Sequence, residues 1–197
     1  MRNKEITREK IMKAALEIGA REGINAVTTR KIAKYCNIAE GTIFFHFGTI
    51  KDLLSSAFMS IDKAKAEALA EIGAEIFEDP DERRVTYEVW RTYLDFWLVR
   101  PLEAKYYSSF FQSTLYDYRI HTTKEEDGLD TYVKYRELME NRRILNAAYQ
   151  VIGYFNIWQY IINTTMSFAI KITDGELEET EEVKVFIFEL IFERLMK

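Results

Sequence analysis

Two histidines, His46 and His121, and a single cysteine, Cys36, are the whole stock of imidazole and thiol in this chain. Neither histidine has a partner at metal or triad spacing. No glycine-rich phosphate loop is present. Asp and Glu are abundant, so a carboxylate pair could form in space, but sequence does not show one. The expected chemistry is therefore recognition: no enzyme, no metal site and no cofactor. The side chains suited to recognition gather in residues 28–54, TTRKIAKYCNIAEGTIFFHFGTIKDLL. Thr28, Thr29, Arg30, Glu40, Thr42 and His46 can all hydrogen-bond, and they flank two turns. The stretch reads as helix, tight turn, short helix, tight turn, long helix, the arrangement that presents a short helix to the major groove of DNA.

Local signals set the elements that would position these residues. Thr28 can N-cap a helix carrying Ile32, Ala33 and Tyr35. Asn37 stands where the chain must reverse, and Asn tolerates the left-handed conformation such a turn needs. The second helix is expected over about 39–45, ending at Phe47-Gly48. Thr49 with Asp52 makes a capping box for the next helix. A preceding helix, about 7–22, carries Ile11, Ala14, Ala15 and Ile18 at helical spacing and stops at Gly23.

Ile11, Ala14-Ala15, Gly23, Thr28-Thr29, Ile32-Ala33, Gly41-Thr42 and the run from Ile43 to Phe47, followed by Asp52-Leu53-Leu54, closely resemble the TetR family of bacterial transcriptional regulators. The likeness covers roughly the first fifty-five residues. The remainder is similar only in length and helical character. The resemblance implies an all-α fold: an N-terminal three-helix helix-turn-helix head, residues 1–50, and a C-terminal ligand-binding and dimerisation bundle, residues 51–197. About nine helices are expected, the last two pairing with their symmetry mates in a homodimer. Three positions depart from the family pattern. Ala39 stands where Ser or Thr commonly caps the recognition helix, Phe44 where a Tyr hydroxyl commonly touches phosphate, and Ile50 where a Lys commonly faces the backbone. Each change removes a polar contact and shifts the expected anchoring toward Lys51 and the N-terminal arm.

On this reading, Lys4 and Arg8 would approach the DNA backbone from the arm. Thr28, Thr29 and Arg30 would place a helix N-terminus and side chains at phosphates. Ala39, Glu40, Thr42, Phe45 and His46 would lie on or near the groove-facing side. Glu40 could accept from a cytosine amino group, His46 could donate to phosphate, and Phe45 or Ala39 could touch a thymine methyl. Gly41 would allow close approach, while Ile43, Phe44 and Phe47 would pack the head. A two-fold dimer would read a near-palindromic operator of double-stranded DNA.

Bulk properties agree. A length of 197 residues with 48% apolar side chains can bury a core, and two prolines with eight glycines suit long helices. The net charge of −5 hides an asymmetry: residues 1–60 hold ten Lys/Arg against six Asp/Glu, the remainder seventeen against twenty-six. A locally basic head can bind phosphate while the body repels it. One cysteine allows no intramolecular disulfide, which fits a reducing cytoplasm, and Cys36 reads as a small buried hydrophobe. The charged N-terminus shows no signal peptide. Cytoplasmic localisation is expected.

Further along, a helix is expected from residue 49 to about 77, broken by Asp79-Pro80-Asp81. Others are expected over 82–99, from Pro101 onward, and over 129–141, with a polar loop at 118–130. Residues 144–170 contain no charge. That length could cross a bilayer, but Asn146, Gln150, Asn156, Gln159 and Asn163 are expensive in lipid. The stripe Ile144, Ala148, Val151, Phe155, Trp158, Ile162, Met166 and Ala169 reads instead as a helix-packing seam. No membrane partner is expected. The last helix, about 179–196, is apolar on most of its circumference, which a second subunit would cover.

The body is also rich in aromatics with polar tips. Tyr93, Trp97, Tyr107, Phe111, Tyr154, Asn156, Gln159 and Asn163 are the expected lining of a pocket for a small effector, aromatic, amphipathic or lipid-like. The plainer reading makes the same aromatics core and the same amides solvent-facing. The expected function is a ligand-responsive DNA-binding regulator, a repressor released by its effector. The alternative is a helical dimeric small-molecule-binding protein that has lost DNA binding.

Overall fold

The computed structural model describes residues 2–72, 74–117 and 152–196. They form eight α-helices: α1 Arg2–Glu22, α2 Thr29–Cys36, α3 Glu40–Phe47, α4 Ile50–Ala70, α5 Glu82–Leu98, α6 Pro101–Phe111, α7 Tyr154–Thr173 and α8 Glu181–Phe192. Short 3₁₀ turns lie at Ile24–Ala26 and Ala74–Glu78. No strand occurs among the described residues. The helix expected over 129–141, the loop at 118–130 and the start of the seam at 144–151 fall outside them. No helix among the described residues is long and apolar enough to cross a membrane.

The chain divides into two compact units, Met1–Lys63 with Leu102–Thr123, and Ala64–Pro101 with Lys124–Lys197. In the first, α1 packs on α2 and α2 on α3. Ile11, Ala15, Ile32, Ile43 and Leu53 form a dry centre, each without solvent exposure. Helical spacing in α1 puts Ile11, Ala14, Ala15 and Ile18 on one face, and that face is the buried one. The head is pinned at its ends. Lys10 donates to the Cys36 carbonyl at 2.8 Å, satisfying an orphan carbonyl at the end of α2. Cys36 is buried beside it. Beneath the head, Phe58 of α4 stacks on Tyr107 and Phe110 of α6 at 4.4 and 4.6 Å, and Tyr107 donates to Asp62 at 2.9 Å.

In the second unit, α5, α7 and α8 pack mutually. Ile157, Ile161, Ile162, Met166 and Ala169 turn one face of α7 inward; of the expected seam, Ile162, Met166 and Ala169 are buried and Trp158 is half-buried. Trp90 donates to the buried Thr165 hydroxyl at 3.0 Å. Lys184, 6% exposed, reaches Asp95 at 2.7 Å and Glu179 at 3.3 Å. Burial pulls its ammonium down, and the two carboxylates more than offset this, so its pKa is raised.

Several boundaries differ from the sequence expectation. The first helix starts at Arg2, five residues before Thr7, because its polar first turns carry no breaker. The fourth ends at Ala70 and not near 77; the apolar spacing that continues there is taken up by a 3₁₀ turn. The chargeless stretch is not one helix, since Gly153 (φ 76, ψ 152) interrupts it and α7 begins after it. That backbone region is open to glycine and closed to other residues. The last helix runs Glu181–Phe192, capped by the Thr180 hydroxyl, which accepts from the Val183 amide at 3.2 Å.

Candidate nucleic-acid interface

The helix-turn-helix is assembled by its expected local signals. Thr28 is the N-cap of α2, its hydroxyl accepting from the Lys31 amide at 3.2 Å. Asn37 ends α2 in the left-handed region, φ 53 and ψ 54. The Ile38 amide then donates to the Ala33 carbonyl at 3.0 Å, a Schellman-type closure that aims α3 away from α2. Gly48, φ 74, ends α3. Thr49 accepts from the Asp52 amide at 3.1 Å. The capping box is only half formed, because the Asp52 carboxylate accepts from the Thr49 hydroxyl at 2.6 Å and not from the Thr49 amide.

On α3, Ile43 and Phe47 face inward. Ala39, at the N-cap, offers no side-chain hydrogen bond. Glu40 and Gly41 are exposed, Thr42 and His46 half-buried, and Phe45 is 70% exposed. Phe44 corrects the sequence reading: it was expected to pack the head, but it is 49% exposed. Residues 43, 47 and 44 follow one another around about 100° of the helix, and Phe44 stands at the edge that turns to solvent. The outer face of α3 therefore carries two aromatic rings, a carboxylate, and small residues at 39 and 41.

Cations come from α1. The Lys4 ammonium lies 4.9 Å from the Phe45 ring centroid, and the Arg8 guanidinium 4.6 Å from that of Phe47. Arg8 also donates to Ser56 at 3.4 Å. Both stand on α1, so the N-terminal arm is helical over residues 2–8. Arg30 on α2 and Lys51 in the first turn of α4 are exposed. His46 meets Phe45 edge-to-face at 5.3 Å, and its Nδ1 is buried without a hydrogen bond. The contact that sequence reasoning missed joins Thr29 to Glu40: the hydroxyl donates to Oε2 at 2.6 Å across the turn. No propensity or spacing rule signals it, because it depends on how α3 leaves the turn.

The residues expected to line an effector pocket fall in both units. Tyr107 and Phe111, stacked at 6.1 Å, belong to the first. Tyr93 and Trp97, edge-to-face at 5.8 Å and buried, belong to the second. Gln159 and Asn163 on α7 are half-buried, whereas Asn156 is exposed and donates to the Ile152 carbonyl at 2.6 Å. Tyr154 begins α7. On the outer side of that unit, Tyr160, Val185, Phe186 and Leu190 are exposed, from 42% to 61%. Among the described residues, no group of three or more His, Cys, Asp or Glu could hold a metal ion.

Residues 11–57 match the family model described as bacterial regulatory proteins, tetR family. The whole chain is similar in fold to solved regulators. A TetR family transcription regulator from Marinobacter aquaeolei VT8 is 18% identical, with all of both chains covered and a TM-score of 0.73. A TetR-family transcriptional regulator from Haemophilus influenzae RD is also 18% identical over all of both chains, with a TM-score of 0.64. The transcriptional regulator FadR from Bacillus subtilis, in complex with stearoyl-CoA, is 18% identical, with 95% of this chain and 98% of that one covered and a TM-score of 0.62.

Proposed function

We propose that this chain, a member of the tetR family of bacterial regulatory proteins through its N-terminal domain, is a DNA-binding repressor that acts as a homodimer and is released by a small effector. The observation that carries this reading is the division of α3. Its apolar edge is buried at Ile43 and Phe47, with α2 packed on the helix, and its other face stands outward with Glu40, Gly41 and Phe45 exposed. An eight-residue helix presented in this way fits the major groove. Lys4, Thr28, Arg30 and Lys51 would meet phosphates. Ala39, Glu40, Gly41, Thr42, Phe45 and His46 would meet base edges or the adjacent backbone. The functional boundary would then fall near residue 50.

The effector would be held by the second unit, where Tyr93, Trp97, Gln159 and Asn163 are the candidate lining. An apolar or aromatic molecule suits that set. The stearoyl-CoA complex of the Bacillus subtilis regulator makes an acyl chain one class to screen. Release requires that the effector favour one spacing of the two heads over the other. Action by binding, without turnover, is part of the proposal.

Selection of bound sequences from random duplex DNA by the purified protein tests it. A near-palindromic motif is expected, with affinity falling steeply as salt rises. A second reading, a dimeric small-molecule-binding protein with a lost DNA function, draws on the missing polar groups at Ala39, Phe44 and Ile50. Failure of the folded protein to enrich any motif would favour it.

A further inference from the structure

We infer that Thr29 is a positioning residue, which aims the Glu40 carboxylate at the exocyclic amino group of a cytosine in each operator half-site. The inference rests on the DNA-binding reading above. Thr29 is the first residue of α2 and Glu40 the first of α3, eleven positions apart across the turn at Asn37. The Thr29 hydroxyl donates to Oε2 at 2.6 Å. Glu40 makes no ion pair among the described residues.

A hydroxyl has one proton to give. While Thr29 gives it to Glu40, it cannot also give it to a phosphate, so the two roles exclude each other in this geometry. The hydrogen bond instead holds one carboxylate oxygen and leaves Oε1 to meet the groove. Beside a polyanion, a carboxylate is repelled unless a donor meets it. In the major groove the base donors are the amino groups of cytosine and adenine. Adenine sets its N7 acceptor beside that amino group, which repels a carboxylate, and cytosine does not. Cytosine is therefore the base that fits.

The neighbours of Glu40 leave room for this approach. Ala39 and Gly41 flank it, and a Cβ built on Gly41 would meet nothing within 4 Å. Gly41 is also absent from the glycines with positive φ. Neither packing nor backbone conformation within the protein calls for glycine there, although glycine weakens a helix relative to alanine. The open space beside Glu40 is available to a base edge.

The test uses the full chain as wild type, Thr29→Val, Thr29→Ser and Glu40→Gln. Each protein selects sequences from random duplexes, then is titrated against the operator and against duplexes with single base pairs exchanged. The wild type is expected to prefer one cytosine per half-site. Glu40→Gln should move that preference toward adenine, and because it leaves Thr29 intact it tests the base separately. Thr29→Val should lower discrimination at that base roughly three- to tenfold, weakening the operator more than the exchanged duplex. Thr29→Ser should restore it. Unchanged discrimination in Thr29→Val, or equal weakening on every duplex as a phosphate contact would give, overturns the inference. A wild-type motif in which no position depends on Glu40 also overturns it while the DNA-binding reading stands. No wild-type motif at all overturns that reading itself.

Discussion

Tyr106 has no solvent exposure, and its hydroxyl donates to the Leu54 carbonyl at 2.9 Å. Burial pushes this phenol far above its ordinary value of 10.0. The raised group contributes fully below the unfolded pKa, and its contribution falls as the unfolded phenol ionises and the buried one does not. Tyr106→Phe removes the hydrogen bond and should cost about 1 kcal/mol near neutral pH. Above pH 10 the wild type should lose about 1.4 kcal/mol for each further pH unit while the variant does not, so that Tyr106→Phe becomes the more stable protein by about pH 11. Denaturant midpoints of both proteins at about pH 8 and about pH 11 check this, and a difference independent of pH would contradict the buried geometry. Residue chemistry of a local kind was legible in the sequence. Thr28 caps, Asn37 turns and Gly48 stops because each acts on backbone within a few positions of itself. The Thr29–Glu40 bond and the outward turn of Phe44 were not legible, because both depend on the angle at which α3 leaves the turn.

At the scale of elements, Gly19 shows where packing overrides propensity. It lies inside α1, where alanine would favour the helix by up to about 1 kcal/mol. A Cβ there, however, would stand 2.7 Å from Cδ2 and 2.8 Å from Cε2 of Tyr106. That ring is fixed by burial and by its bond to Leu54, so it cannot swing aside. Overpacking of a fixed core costs roughly 1–3 kcal/mol. Gly19→Ala is therefore expected to lower stability by about 1–2 kcal/mol, read as a shift of the denaturation midpoint; a rise would mean that α1 and α6 are not in close contact. The ends of α2, α3 and α5 and the start of α6 at Pro101 followed from caps, prolines and apolar spacing, whereas α6 stops at Phe111, short of Leu115, which its apolar spacing includes. Nor did the interruption at Gly153 follow from them. A single glycine in a chargeless apolar stretch can be tolerated or can end a helix, and local sequence does not choose between them.

At the scale of the molecule, the outer face of the second unit bears on assembly. Phe186 and Leu190 stand one turn apart on α8, 61% and 53% exposed, with Val185 beside them. Tyr160 of α7 joins them through a hydrogen bond from its hydroxyl to the Leu190 carbonyl at 3.4 Å. These four exposed side chains lie on two adjacent helices whose other faces are spent on the core, through Ile187, Phe188 and Ile191 of α8 and Ile162, Met166 and Ala169 of α7. Leaving them in water forgoes roughly 25 cal/mol for each Å² of apolar surface that a partner could cover. A second copy meeting them across a two-fold axis would cover both sets at once and bring two heads to one operator. Phe186→Glu places a charge at the centre of that contact and leaves the buried face of α8 untouched. Sedimentation at micromolar concentration should show the wild type as a dimer and Phe186→Glu as a folded monomer. The variant should bind a palindromic duplex no more tightly than a single half-site, because it has lost the gain from tethering two heads. A variant that stays dimeric with undiminished operator affinity would place the interface elsewhere on the chain.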